Sequence, residues 1–261
     1  ADMAIEPHDF HSRHRGCPRI HGRRVLNGNT KLILFQPGGN VRVRFRINVG
    51  IHPQRNRRDL ACLGGNLRQA LVDAALVLIE QKGPTGFTLS EAAKTAGVTP
   101  AAVYRHFEGR EDLIAEGALQ GYDIFAELME AAYQSGQPSA LKAFEATGRA
   151  YLAFARDYPG HYIAMFESGI SVTRPPDLAA AAARANGVLE QAASDLSQHI
   201  PLEKRPPASM FSAHIWALSH GVVELFARNS PGRASPFPAD DLLESGIGIY
   251  LRGLGLVRPD D

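Results

Sequence analysis

Residues 88–107 read TLSEAAKTAGVTPAAVYRHF, and the fold turns on how this stretch is punctuated. Thr88 can cap a helix whose third residue, Glu91, reaches back to the free backbone amide of the cap, which is the spacing of a capping box. Gly97 then ends that helix, because a chain reversing there needs a left-handed residue. Thr99 is the next cap, and Pro100 takes the first helical position, where its missing N–H costs nothing. The pattern predicts two short helices across one glycine turn, the second about two turns long.

Spacing assigns the faces of this pair. Val103 and Phe107, four apart, are expected to face inward with Leu89, Ala93 and Val98. Ala101, Ala102, Tyr104, Arg105 and His106 are left at the outside or the edges. Small residues at 101 and 102 allow close approach to another surface, and Tyr104, Arg105 and His106 carry donors suited to phosphates and base edges. A recognition helix lying in the major groove of DNA has these requirements. Upstream, Leu67, Leu71, Ala74, Ala75 and Leu78 recur at spacings of three and four, after Gly64–Gly65 and a candidate cap at Asn66. They predict a longer amphipathic helix that stops at Gly83–Pro84.

From NLRQALVDAALVLIEQKG through GFTLSEAAKTAGVTPAAVYRHFEGREDLIAEG, Asn66 to about Gly117, the chain resembles the DNA-binding domain of the tetracycline-repressor (TetR) family. The shared features are a helix ending at glycine, then F-T, A-A-x-x-A-G-V, Y-x-H-F and an acidic helix start with a leucine. The resemblance implies that residues 88–107 are a helix-turn-helix. It places Thr88, Ser90, Thr99, Pro100, Ala101, Ala102, Tyr104, Arg105 and His106 at or near double-stranded DNA. Arg110 would stand where the family commonly has a phosphate-binding lysine. Charge tempers the picture, since residues 59–120 carry five basic and eight acidic side chains. Affinity would therefore rest on helix N-termini, a few placed side chains and dimerisation.

Charge is uneven along the 261 residues. Residues 1–58 hold 12 of the 28 Lys+Arg and 3 of the 27 Asp+Glu, a local charge of +9 against −8 for the rest. Within this arm, Arg42, Arg44 and Arg46 alternate with Val41, Val43, Phe45 and Ile47, a strand-like period of two, and Gly38–Gly39 could turn a hairpin. An arginine ribbon can meet phosphates. Yet Arg outnumbers Lys 11 to 1 in the arm, as a GC-rich reading frame would produce. We expect residues 1–60 to be disordered or to belong to sequence ahead of the native start, outside the functional unit.

From Arg110 onward, Pro and Gly breaks separate helices expected at 110–135, 138–157, 159–168, 176–199, 207–229 and 239–256. The fold class is therefore all-α: a helix-turn-helix domain over 66–117, then a helical ligand-binding and dimerisation domain over 118–258. In the second domain, YLAFARDYPGHYIAMFESG (151–169) and SMFSAHIWALSHGVVELFAR (209–228) concentrate aromatic side chains. Phe211, Ile215, Leu218, Val222 and Leu225 form a predicted buried stripe. The candidate site for an apolar or aromatic effector comprises Tyr151, Phe154, Tyr158, Tyr162, Met165, Phe166, Phe211, His214, Ile215 and Leu218, with His220 and Glu167 as further polar groups. The segment Trp216–Gly221 also resembles a C-terminal domain of one branch of the family, marked by a Trp-His-Gly pattern. Small residues Ala213, Ala217, Gly221, Gly246 and Gly253, interleaved with Leu243, Ile247, Tyr250 and Leu254, predict a four-helix homodimer interface.

Other chemistries find little support. Cys17 and Cys62 fit neither a disulfide framework nor a metal knuckle. His214 and His220 stand six apart, not the four that two metal ligands on one helix face require, and no metal or cofactor is expected. No P-loop, G-x-S-x-G, H-E-x-x-H or dinucleotide fingerprint occurs, so no enzymatic activity is expected. No apolar run approaches the ~18–20 residues of a membrane span, and a cytoplasmic location follows. The reading is a ligand-responsive homodimeric regulator, a repressor released from a pseudo-palindromic operator by a small molecule. The alternative is a ligand-independent architectural nucleic-acid-binding protein acting through the arginine arm.

Overall fold

The computed structural model describes residues 67–173, 175–227 and 236–256, and every regular element among them is helical. The arm, its arginine strand, both cysteines and the Asn66 cap lie outside the described residues. Among the described residues nine α-helices follow one another: α1 (Leu67–Lys82), α2 (Leu89–Thr95), α3 (Pro100–Val103), α4 (Arg110–Gly136), α5 (Ala140–Asp157), α6 (Pro159–Phe166), α7 (Pro176–Ser197), α8 (Ala208–Val222) and α9 (Ala239–Gly253). Short 3-10 and π-helical turns cover Leu202–Lys204 and Val223–Ala227.

Local chemistry fixes α1 to α3. Gly83 leaves α1 at φ +77°, and Gly97 leaves α2 at φ +75°, conformations that a Cβ disfavours. The capping box at Thr88 is complete: Thr88 Oγ1 accepts from the Glu91 amide at 3.2 Å, and Glu91 Oε2 accepts from the Thr88 amide at 2.8 Å. The same carboxylate takes Lys82 Nζ at 2.6 Å. That bond and the Thr88 amide hold the Glu91 carboxyl down at about 2.

α3 departs from the expected two turns. Thr99 occupies the cap position but its side chain caps nothing, and only Pro100–Val103 are α-helical. The next turn is tighter, with the His106 and Phe107 amides both directed to the Val103 carbonyl at 2.9 and 3.0 Å. The first of these spans three residues and the second four, and such tightened bonding at a helix end shares the free carbonyls of a short helix. It also turns Phe107 inward, where it is 1% exposed beside fully buried Val103, Ala92, Ala93, Leu71 and Ile79. Leu89 and Val98 pack on the same core half-buried.

α4, about 40 Å long at 1.5 Å per residue, is the spine, packed against α5, α6 and α7 along its length and against α1 at its start. α6 is wedged between α1 and α4 with little room. A Cβ added at Gly160 would stand 2.7 Å from the Leu76 carbonyl oxygen of α1, and one at Gly121 would stand 2.6 Å from Met165 Sδ. Gly117 of α4 meets the Leu76 side chain at 3.1 Å on the same measure. A polar seam runs alongside, with Gln69 of α1 and Gln120 of α4 exchanging amide hydrogen bonds at 2.9 and 3.1 Å.

The buried stripe of α8 differs from the predicted one. Phe211, Ile215, Ser219 and Val223 are buried, whereas Leu218 and Val222 are half-buried and Leu225 is 43% exposed. The inward face follows a strict spacing of four, and the wider π-helical turn after Val222 rotates Leu225 out of it.

Candidate functional site

The helix-turn-helix presents its outward residues as a group. Ser90, Thr99, Pro100, Ala101 and Arg105 are exposed, Tyr104 is 63% exposed, and Ala102 and His106 are half-buried at the edge. Thr88 is exposed too, but its hydroxyl is engaged by the Glu91 amide. Arg110 faces the protein: its guanidinium donates to the Thr85 carbonyl at 3.1 Å and the Phe87 carbonyl at 3.5 Å. It thereby ties the start of α4 to the α1–α2 loop, beside a shallow cleft of about 360 Å³ that also touches Thr88, Gly109 and Glu111.

Two other cations of this region are similarly committed. Lys82 is paired with Glu91, and Arg68 is paired with Glu116 at 3.0 Å while lying 4.7 Å over the Phe107 ring. Lys94 and Arg105 remain, both exposed and without an ion pair among the described residues. Lys94, in the last turn of α2, escaped the motif reading because charge there has no spacing signature; only the neighbours' pairing singles it out.

In the body, the structure divides the candidate effector residues. One group gathers around His220. Tyr151 and Tyr162 hydroxyls approach His220 Nδ1 at 2.8 and 3.1 Å, and the Tyr162 hydroxyl donates to Glu224 Oε1 at 2.7 Å. Burial pushes both phenols up, and the approach of Glu224 adds to the effect at each. Trp216 stacks on His220, 5.6 Å between centroids, and Phe166 closes edge-on to both rings. Phe154 stacks on Tyr158 at 5.5 Å on the same side of α5. Met165 points away from this cluster toward Gly121 of α4.

A second group lies apart. Phe211 stacks between Phe144 and Tyr250, and His214, exposed, bonds the Tyr250 hydroxyl of α9 at 2.7 Å. His214 therefore belongs to the α8–α9 seam and does not join the His220 cluster. Ile215 is 7% exposed in the core, Leu218 packs half-buried on it, and Glu167 stands exposed at the end of α6. The sequence reading missed Trp216 and Glu224 as site residues. The signal was available: Trp216, His220 and Glu224 stand at i, i+4 and i+8, one stripe of α8 and its π-helical continuation.

The small residues foreseen on α8 and α9 face outward. Ala213 and Ala217 are exposed, and a Cβ at Gly221, Gly246 or Gly253 would meet nothing within 4 Å. Met210 (50% exposed) and Ile249 (63%) flank them. Among the described residues, no helix is long and apolar enough to cross a membrane and no metal-binding group occurs.

Residues 71–116 match the family of bacterial regulatory proteins named tetR, and residues 144–250 match a tetracyclin repressor-like C-terminal domain, together more than half of the chain. The uncharacterized HTH-type transcriptional regulator YobS of Bacillus subtilis (strain 168) is 30% identical over 99 residues, 38% of this chain. The matched region spans about half of that relative, 50% of its length. Among solved structures, a protein of unknown function from Rhodococcus sp. RHA1 shares the fold, with 24% identity, a TM-score of 0.61 and coverage of 73% of this chain and 96% of that one. The structure of AibR, solved in complex with isovaleryl coenzyme A and operator DNA, shares it at 18% identity, a TM-score of 0.56 and coverage of 70% and 97%.

Proposed function

We propose, from the premise that this chain belongs to the TetR family of bacterial regulators, that it is a homodimeric transcriptional repressor released from its operator by a small molecule. One observation carries the DNA-binding half of this reading. Val103 and Phe107 are sunk in the core while Ala101, Tyr104 and Arg105 of the same short segment stand out from the surface. That arrangement suits a recognition segment held rigidly and presented to a major groove. AibR offers a precedent for one such fold holding both isovaleryl coenzyme A and operator DNA.

The dimer would form across the outward faces of α8 and α9, where the small residues permit close helix approach. Its two recognition segments would then read half-sites about one helical turn, or a multiple of it, apart. The effector would enter the aromatic cluster of α5, α6 and α8. Because α6 contributes Tyr162 and Phe166 to that cluster and Gly160 to the contact with α1, its displacement would shift α1 and respace the recognition segments. The protein would act in the cytoplasm and without enzymatic activity.

Fluorescence anisotropy with the DNA immediately upstream of the protein's own gene tests this, using the full chain and a version starting at Leu60. Two uncommitted cations per protomer among the described residues of the helix-turn-helix, Lys94 and Arg105, give about four phosphate contacts per dimer. The slope of log K against log salt should therefore be about −3 to −4 at roughly 0.9 per contact. Sequence-specific binding kept by the shorter version supports the helix-turn-helix. Binding that tolerates any sequence and disappears with the arm would transfer the function to its arginines.

A further inference from the structure

The recognition segment is too short to hold its own angle. Four α-helical residues and a Thr99 side chain that caps nothing leave it about one turn of backbone bonding, well short of what a helix needs to persist alone. Its direction is therefore set by what grips Val103 and Phe107, the two side chains it sinks into the core. Val103 has apolar neighbours. Phe107 has a cation as well: the Arg68 guanidinium lies over its ring, 4.7 Å from the centroid, inside the roughly 6 Å within which an aromatic face attracts positive charge.

Arg68 is itself held. Its Nη1 meets Glu116 Oε2 of α4 at 3.0 Å, and the other oxygen of that carboxylate accepts from Gln120 Nε2, one helical turn on, at 2.9 Å. Gln120 in turn exchanges amide hydrogen bonds with Gln69, the residue beside Arg68. The carboxylate is thus fixed from two sides, and it fixes the guanidinium. As a source of stability the pair counts for little, because the Arg68 side chain is 46% exposed and such pairs are screened by solvent. Its effect is on position. Arg68 also belongs to the helix that carries Leu76, on which Gly160 is seated, so a shift of α1 reaches the recognition segment through this contact.

We propose that Arg68 is a positioning residue for operator recognition: pinned by Glu116, its guanidinium bears on the Phe107 ring and fixes the angle at which Tyr104 and Arg105 meet the groove, without itself touching DNA. This role rests on the reading of the protein as an operator-binding regulator.

The test uses the full-length protein and the duplex it enriches from a random-sequence pool, with a shuffled duplex of the same composition as reference. Anisotropy gives the ratio of the two affinities and the salt slope. Loss of folded protein lowers both affinities equally, so the ratio responds to position and not to stability. In Arg68→Gln the ratio is expected to fall about five- to thirtyfold, the scale of one partly exposed stacked cation lost from each protomer, at an unchanged slope. Glu116→Gln should lower the ratio too, and the double variant should fall no further than Arg68→Gln alone. Should Arg68→Gln fail to melt cooperatively, Arg68→Lys replaces it; it keeps the charge, loses the planar face, and is expected to lower the ratio at the same slope. A phosphate contact by Arg68 would instead make the slope of Arg68→Gln shallower by about 1.8 per dimer, at roughly 0.9 per contact. That result, an unchanged ratio in the Arg68 variant, or additive losses in the double variant overturns the inference. If the parent enriches no sequence from the pool, the regulator reading fails and the inference with it, whereas discrimination by the parent that the Arg68 variant fully shares sinks only the role of Arg68.

Discussion

Replacing Gly160 by alanine tests the contact through which, in the proposed mechanism, the two sites would communicate. The added Cβ would lie 2.7 Å from the Leu76 carbonyl oxygen, 3.1 Å from its carbon and 3.2 Å from the Leu76 Cβ. Comfortable carbon–oxygen contacts lie at about 3.3–3.6 Å, so α6 must move off α1 by roughly half an ångström. None of the three can swing aside, because two are backbone atoms and the third is fixed to the backbone. Overpacking of this kind costs about 1–3 kcal/mol, and the gain in helix preference from Gly to Ala offsets about 0.5–1 kcal/mol. The net loss is about 0–2.5 kcal/mol, a fall in Tm of up to roughly 10 °C at this chain length. Gly187→Ala on α7 is the matched control, since its Cβ would meet nothing within 4 Å. It should gain about 0.5–1 kcal/mol from the propensity term alone. Both variants are melted at one protein concentration and their operator affinities compared; only Gly160→Ala should bind DNA more weakly. If Gly160→Ala gained stability as Gly187→Ala does, the α6–α1 contact would not be the tight one described.

Thr88→Ala removes one arm of the capping box and should cost about 1 kcal/mol, read by urea unfolding, with operator affinity falling because α2 frays. Ala217→Glu places a charge on the exposed small-residue face of α8; sedimentation should show monomers, with operator binding lost and the fold intact by circular dichroism. Burial holds His161 down at about 4, from an ordinary value of 6.5. Its neutral form is the one the fold favours, so the associated stability is complete above pH 6.5 and is lost as pH falls toward 4. That amounts to about 3 kcal/mol. His161→Gln should remove this part of the slope, and equal pH profiles for parent and variant between 6.5 and 4 would refute the assignment.

Much of this fold was legible because its boundaries are local events. Thr88, Glu91 and Gly97 decide α2 from within seven to ten residues, and proline or glycine marks nearly every later break. α3 was harder. Pro100 announces a start, but nothing in the sequence states that the chain tightens after Val103 to bring Phe107 into the core. The site residues divide along the same line. Exposure of Tyr104 and Arg105 follows from helical period, whereas the inward commitment of Arg110 depends on carbonyls 23 and 25 residues away. Likewise His214 and His220, six apart on one helix, went to different neighbours, one to α9 and the other to α5 and α6, and tertiary packing alone decides that.

In the proposed mechanism α6 needs two properties at once, and its eight residues supply them on opposite faces. Toward α1 it offers Gly160, whose seat on the Leu76 backbone leaves no room for a Cβ and therefore transmits a push rather than absorbs it. Toward α8 it offers Tyr162 and Phe166, whose partners Trp216, His220 and Glu224 can be exchanged for a ligand. To weaken operator binding a hundredfold, an effector must favour the displaced arrangement by about 2.7 kcal/mol, and DNA must weaken the effector equally. That energy has to come from contacts differing between the two arrangements. A ligand that merely displaces Phe166 while leaving Gly160 seated on Leu76 would bind and change nothing. The Gly160–Leu76 contact is therefore where binding becomes release, and a side chain that forces it open should weaken DNA binding with no ligand present.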